Sequence, residues 1–148
     1  MKKFGYCITI VALLALSIAG VNDAMAKRRQ LSHIYMFGFA ASFTDSIVYF
    51  TDIQTVDSVW IDDKTFFLQN PEAYSQQLKD YLAASMQPNR VCVVMYAPNQ
   101  KEAEKQYLKI RRIYTTKAHT PYDVRYLTSA DFRFKTVRME PEIEETTE

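Results

Sequence analysis

Apolar and polar positions alternate from the first folded residues onward. Across residues 31–39, His33, Tyr35, Phe37 and Phe39 fall on one side and Ile34 and Met36 on the other, the period of a strand. Residues 46–53 repeat the pattern with β-branched and aromatic side chains. The polar link Ser42-Phe43-Thr44-Asp45 between the two runs predicts a hairpin. Residues 56–61 offer a third, shorter strand, weakened by Asp57 and Ser58.

The period then lengthens. Asn70-Pro71-Glu72 combines a capping residue, a proline at the first helical position and an early carboxylate. Tyr74, Leu78, Tyr81 and Leu82 follow at helical spacing on one face, so a helix is predicted near residues 71–86. Residues 90–97 are apolar on both faces, which predicts a central strand covered on both sides. Pro98-Asn99 opens a second helix with Ala103, Tyr107, Ile110 and Tyr114 as its buried stripe. Tyr122, Val124 and Tyr126 alternate with Asp123 and Arg125, and Phe132-Arg133-Phe134-Lys135 alternates again. The expected fold class is α/β (or α+β). It is a single domain with a mixed sheet in the order strand-strand-helix-strand-helix-strand-strand, built from right-handed crossovers.

The N-terminus has a different character. Met1-Lys2-Lys3 precedes an apolar run from Cys7 to Ala19, and Ala24-Met25-Ala26 has the small-x-small form of a signal-peptidase site. These features predict a secretory signal peptide over residues 1–26, cleaved between Ala26 and Lys27. As a helix the run spans only about 20 Å, short of the ~30 Å hydrocarbon core, so no transmembrane span is expected in the mature chain. Lys27-Arg28-Arg29 opposes translocation to a degree. The domain is placed at residues 27–139. Residues 140–148, with Glu140, Glu142, Glu144, Glu145 and Glu148 and no aromatic, read as an acidic flexible tail.

Composition narrows the chemistry. The 148 residues carry 18 Lys+Arg against 17 Asp+Glu, a formal charge of +1. That balance carries no electrostatic footprint for nucleic acid, and no such partner is expected. After cleavage Gly38 and Cys92 would be the only glycine and cysteine. An internal disulfide and a glycine-rich phosphate loop are therefore excluded from the mature chain. Cys92 sits in an apolar run that should raise its pKa and leave it inert. His33 and His119 lack neighbours at metal-ligand spacing, so no metal site and no cofactor are expected. Asp45, Asp52, Asp57, Asp62 and Asp63 are the acid–base candidates, and Asp at strand ends is ordinary turn chemistry. Lys101, Lys105, Lys109 and Arg112 line one helix face, the usual pattern of a solvated surface.

One location has a geometric case for binding. In open α/β sheets ligands sit beyond the carboxyl ends of strands, near helix N-termini. If the first strand ran parallel beside residues 90–97, Ser42, Thr44 and Asp45 would meet Asn99 and Gln100 at one edge, with Tyr96 nearby. Helix amides favour a carbonyl or an anion there and Asp45 opposes a strong anion, so a neutral polar ligand is expected, a sugar or a peptide.

The stretch Phe37-Gly38-Phe39-Ala40-Ala41-Ser42-Phe43-Thr44-Asp45-Ser46, continued by Val48-Tyr49-Phe50-Thr51-Asp52-Ile53, resembles small exported proteins of Bacteroidetes. The likeness extends through Tyr74-Ser75, Gln77-Leu78 and Asp131-Phe132-Arg133-Phe134. It implies envelope export and brings no activity. Arg90-Val91, Val93, Glu102-Ala103-Glu104 and Lys109-Ile110 resemble the strand–helix unit of sporulation-related-repeat domains, which bind peptidoglycan. The glycine that follows the strand in those domains is missing here. The resulting expectation is an exported periplasmic or secreted protein, a non-catalytic binding or interaction domain whose partner is an envelope protein or glycan. A cell-wall glycan-binding module and a small hydrolase using Asp45 with a second aspartate are the alternatives. Intact-mass measurement of the protein in the envelope fraction should find a chain beginning at Lys27. A full-length cytosolic product would contradict the leader.

Overall fold

The structure, a computed structural model, describes residues 27–139. The predicted leader and the acidic tail lie outside the described residues. Seven elements follow in order: β1 (Arg28–Ala41), β2 (Ile47–Thr51), β3 (Gln54–Asp62), α1 (Pro71–Ala84), β4 (Val91–Ala97), α2 (Gln100–Thr115) and β5 (Asp123–Leu127). They form one α/β domain around a five-stranded mixed sheet.

β1 organises the sheet. Tyr35 and Met36 pair with β3 on one side and β4 on the other, and Phe39, Ala40 and Ala41 pair with both β2 and β4. β2 and β3 therefore share one edge of β1, β4 takes the opposite edge, and all three run antiparallel to it. β5 adds in parallel outside β2. Phe39 faces Phe50 while Met36 faces Gln54. Thr51, Asp52 and Ile53 thus stand against only Phe37 and Gly38, a bulge that separates β2 from β3. The bulge remains bonded. The Gly38 amide donates to Thr51 Oγ1 at 2.8 Å, and the outward-turned Asp52 amide donates to the Leu127 carbonyl at 3.0 Å.

The chain crosses from β3 over β1 to β4 through α1, then returns from β4 across β1 and β2 to β5 through α2. Two crossovers of the same hand in opposite directions place their helices on opposite faces. That is the arrangement found. Tyr74, Leu78 and Leu82 of α1 pack with Ile34, Met36, Ala40 and Tyr49. On the other face Phe37 meets Tyr107 at 5.2 Å between ring centroids, and Phe39 meets Tyr114 at 4.8 Å. Phe50 touches both tyrosines, and Tyr114 stacks edge-on against Tyr122 at 5.0 Å. The second interface is thus a sheet of rings. Ile34, Met36, Phe37 and Phe50 are fully buried, each worth about 1.5–3 kcal/mol.

Four expectations are corrected. Residues 90–97 do not form a central strand: β4 pairs with β1 alone, and Val91 and Val93 are about half exposed. Apolar character on both faces reports a helix layer on either side and says nothing of a second lateral neighbour. β4 also runs antiparallel to the first strand, not parallel beside it. Phe132-Arg133-Phe134-Lys135 is no strand, while the short strand offered at residues 56–61 does form, as Gln54–Asp62, so three strands rather than two precede the first helix. Phe132 and Phe134 are buried as the alternation implied, but side chains replace the ladder. Gln54 donates to the Phe132 carbonyl and accepts from the Phe134 amide, and Gln77 does the same for both backbone groups of Lys135, at 2.8–2.9 Å. Finally, Asn70 precedes α1 in a left-handed conformation without a side-chain cap bond, whereas Asn99 caps α2 by accepting from the Glu102 amide at 2.9 Å.

Gly38 marks where the layers close most tightly. A Cβ there would lie 2.7 Å from Leu78 Cδ2, 3.1 Å from Phe134 Cζ and 3.3 Å from Thr51 Cγ2. Leu78 is fully buried and cannot swing aside. Gly38→Ala should therefore destabilise the domain by about 1–3 kcal/mol through overpacking, read as a lower denaturant midpoint. An unchanged midpoint would show that the α1 face has slack.

Candidate binding site

The end of the sheet where β1 gives way to β2 gathers three connections. These are the 42–46 turn, the α1–β4 link and the segment leading into β5. The turn is built from local side-chain bonds. Ser42 Oγ lies 2.8 Å from Thr44 Oγ1 and accepts from the Thr44 amide, while Asp45 Oδ1 accepts from the Ile47 amide at 2.9 Å. Phe43 at its tip is 95% exposed.

Arg90 ties this turn to the α1–β4 link. Its side chain is only 2% exposed, against 38% for Asp45, and the two groups pair with both carboxylate oxygens engaged at 2.9 and 3.3 Å. Nη1 also donates to the Ile47 carbonyl and Nη2 to Gln87 Oε1, both at 2.8 Å. The guanidinium lies 5.0 Å above the Tyr49 ring, a cation–π contact inside a desolvated site. Arg125 reaches the same ring from β5, with its charge paired to Asp123 at 2.7 Å. The Ile47 amide, opposed by partial burial and aided by Arg90, holds the Asp45 carboxyl below its ordinary value. Both charges near the turn are thus internally compensated.

Beside this pair lies an open cleft of about 530 Å³, lined by the 43–46 turn and by Thr120, Pro121 and Tyr122. A second hollow, lined by Tyr114, Ala118 and His119 among others, adjoins it through Pro121 and Tyr122. Tyr122 is 40% exposed, so the cleft is lined by two aromatic rings together with hydroxyls and one carboxylate.

Three of the six predicted ligand-binding residues lie here: Ser42 in the turn, and Thr44 and Asp45 on the cleft wall. The other three do not. Ala41 faces Val91 while Tyr35 faces Ala97, so the antiparallel register carries Tyr96, Asn99 and Gln100 to the far end of the sheet. There Tyr96 Oη accepts from the Leu68 amide at 2.8 Å, Asn99 caps its helix and Gln100 bonds Glu104. The proposed shared edge does not form. Arg90, Tyr49 and Tyr122 were not anticipated. Phe43 alone carried a legible signal, as an apolar residue in a polar turn.

Most of the remaining candidates are held in structural contacts. Asp52 accepts from Ser129, Asp62 holds the following turn through Thr65, and Asp63 pairs with Arg29. His33 packs edge-on against Tyr35. Burial pushes the half-buried Cys92 thiol up, against the opposing pull of Lys79 and Arg90. Lys101, Lys105, Lys109 and Arg112 are exposed. Among the described residues no group of His, Cys, Asp or Glu is placed to hold a metal ion, and no helix is long and apolar enough to cross a membrane. Comparison with protein-family models, curated proteins and solved structures finds no match.

The depressed Asp45 carboxyl contributes stability that is complete above its ordinary value of 3.8 and is lost as the pH falls through the lower folded value. Asp45→Asn should therefore lower the melting temperature at pH 7, with the gap to wild type closing on acidification through that lower value. A gap independent of pH would separate the turn's stability from the charge on Asp45.

Proposed function

We propose that the chain is an exported, non-catalytic binding domain of the cell envelope. Its cleft between the 42–46 turn and Tyr122 takes a neutral polar ligand, with a cell-wall glycan as the favoured class. The observation that carries this reading is that an almost fully exposed Phe43 and a partly exposed Tyr122 line one cleft with Thr44, Asp45, Ser46 and Thr120. An exposed ring costs solvation unless something lies on it, and the apolar face of a sugar ring suits that role while its hydroxyls reach the polar groups of the same cleft. Because Asp45 is neutralised by Arg90 behind it, the cleft offers acceptors without net charge. That favours a neutral ligand over a phosphate. Export rests on the leader-like N-terminus and on the resemblance to exported proteins.

Purified sacculi should pull down the wild-type protein, and soluble muropeptides should broaden or shift NMR signals of residues 43–46 and 120–122. Phe43→Ala changes a side chain that packs on nothing, so its fold should persist while retention on sacculi drops about tenfold or more. Undiminished retention in Phe43→Ala, or shifts confined to another surface, would refute the cleft.

A further inference from the structure

The edges of this sheet are not equally guarded. Natural edge strands are blunted with charge, proline, bulges or covering segments, because a row of free amides and carbonyls templates pairing with another chain. At one end β5 is five residues long and carries Asp123 and Arg125. The free side of β3 is partly closed by the chain that follows it, through Asp62 to Phe67 and Gln69 to Trp60 backbone bonds and an Ile61–Leu68 bridge. β4 has none of these devices. Its sequence Val-Cys-Val-Val-Met-Tyr-Ala holds no charge and no proline. It pairs only with β1, and among the described residues no other backbone bond reaches it.

The flank of this edge is apolar as well. Val91 and Val93 are 50% and 47% exposed. The second helix packs on β4, and its Ile113 is likewise 49% exposed.

We infer that β4 is a homodimerisation edge and that its occupant is the β4 strand of a second copy, paired antiparallel about a two-fold axis. The strand is self-complementary in that arrangement. An axis at Val94 sets Val94 against its own counterpart, Val93 against Met95, Cys92 against Tyr96 and Val91 against Ala97. Every residue of β4 is then paired, every cross-strand pair is apolar, and no like charges meet. Shifting the axis by one residue leaves strand ends unpaired and brings Arg90 or Pro98 into the ladder. Pro88 and Pro98 bracket the strand and leave its interior amides free to donate. The result is a continuous sheet through two molecules. The proposed cleft, formed by the 42–46 turn and the segment before β5, remains outside the pairing, so this inference does not depend on the binding reading.

Sedimentation velocity on protein produced from the full-length reading frame should show a concentration-dependent dimer. Val93→Lys, at a half-exposed position, should weaken it roughly tenfold or more by setting a charge in the apolar ladder, with circular dichroism and melting temperature reporting the retained fold. In a Cys92→Ser background, Val94→Cys should cross-link to itself under mild oxidation, since facing residues in an antiparallel pair stand about 4.5–5.5 Å apart at Cα, within disulfide range. Val93→Cys, which faces Met95, should cross-link far less. A monomer up to roughly 100 µM, where a useful association would be populated, overturns the inference. So does a dimer that Val93→Lys leaves intact and Val94→Cys fails to trap.

Discussion

The fold depends on β1 being bare at one position. Gly38 lies where Leu78 of α1, Phe134 of the C-terminal segment and Thr51 of the bulge converge to within about 3 Å of the space a side chain would take. This glycine has no left-handed backbone to justify it. Positive φ falls instead on Ser58, Phe66, Asn70, Met86 and Asn89. Gly38 serves space alone. Its bare Cα lets α1 and the C-terminal segment settle on the sheet together, while its amide holds the Thr51 hydroxyl across the bulge. The bulge in turn frees the Asp52 amide for Leu127, helping β5 to dock. Sheet, helix layer and C-terminal segment meet at one missing methyl group.

Most elements are legible from spacing because each element's own periodicity records which of its faces is covered. Both helices and five strands lie near where alternation or the 3.6-residue stripe puts them. Lateral order is a different quantity. Residues 90–97 carry apolar side chains on both faces because helices lie on both sides of the sheet, and nothing in that pattern separates an inner strand from an edge. The same limit explains Phe132 and Phe134. Any extended segment laid on a core alternates, and the ladder that would define a strand is supplied here by two glutamine side chains from distant elements. Each such bond is worth about 0.5–1.5 kcal/mol, so the substitution holds the segment firmly without leaving a strand signature.

The candidate site divides along the same line. Ser42, Thr44 and Asp45 could be picked out because short polar side chains after a strand signal a turn, and turns are local. Tyr96, Asn99 and Gln100 were attached to them by an assumption about strand direction, and the antiparallel register removes it. The residue that gives the turn its electrostatic character, Arg90, lies 45 positions away. It reads in the sequence as an ordinary strand-opening charge. Its burial is intelligible only once Asp45, the Ile47 carbonyl, Gln87 and the Tyr49 ring are seen to surround it, since a guanidinium leaves water only where charge and donors are nearly all matched.

That arrangement has a consequence for how the turn presents itself. A turn without glycine, fixed only by contacts of its own backbone, would fray among several conformations, and a ligand would bear the entropy of ordering it. Here Ser42, Thr44 and Asp45 bond within the turn and Arg90 anchors it from below, from a position the solvent scarcely reaches. The residue left projecting from this braced loop is Phe43, the most exposed large apolar side chain among the described residues. Rigid support beneath an aromatic ring that packs on nothing is wasteful for a loop that only connects two strands. For the proposed binding role the bracing has a consequence: the conformational cost of presenting Phe43 is met during folding, not on contact.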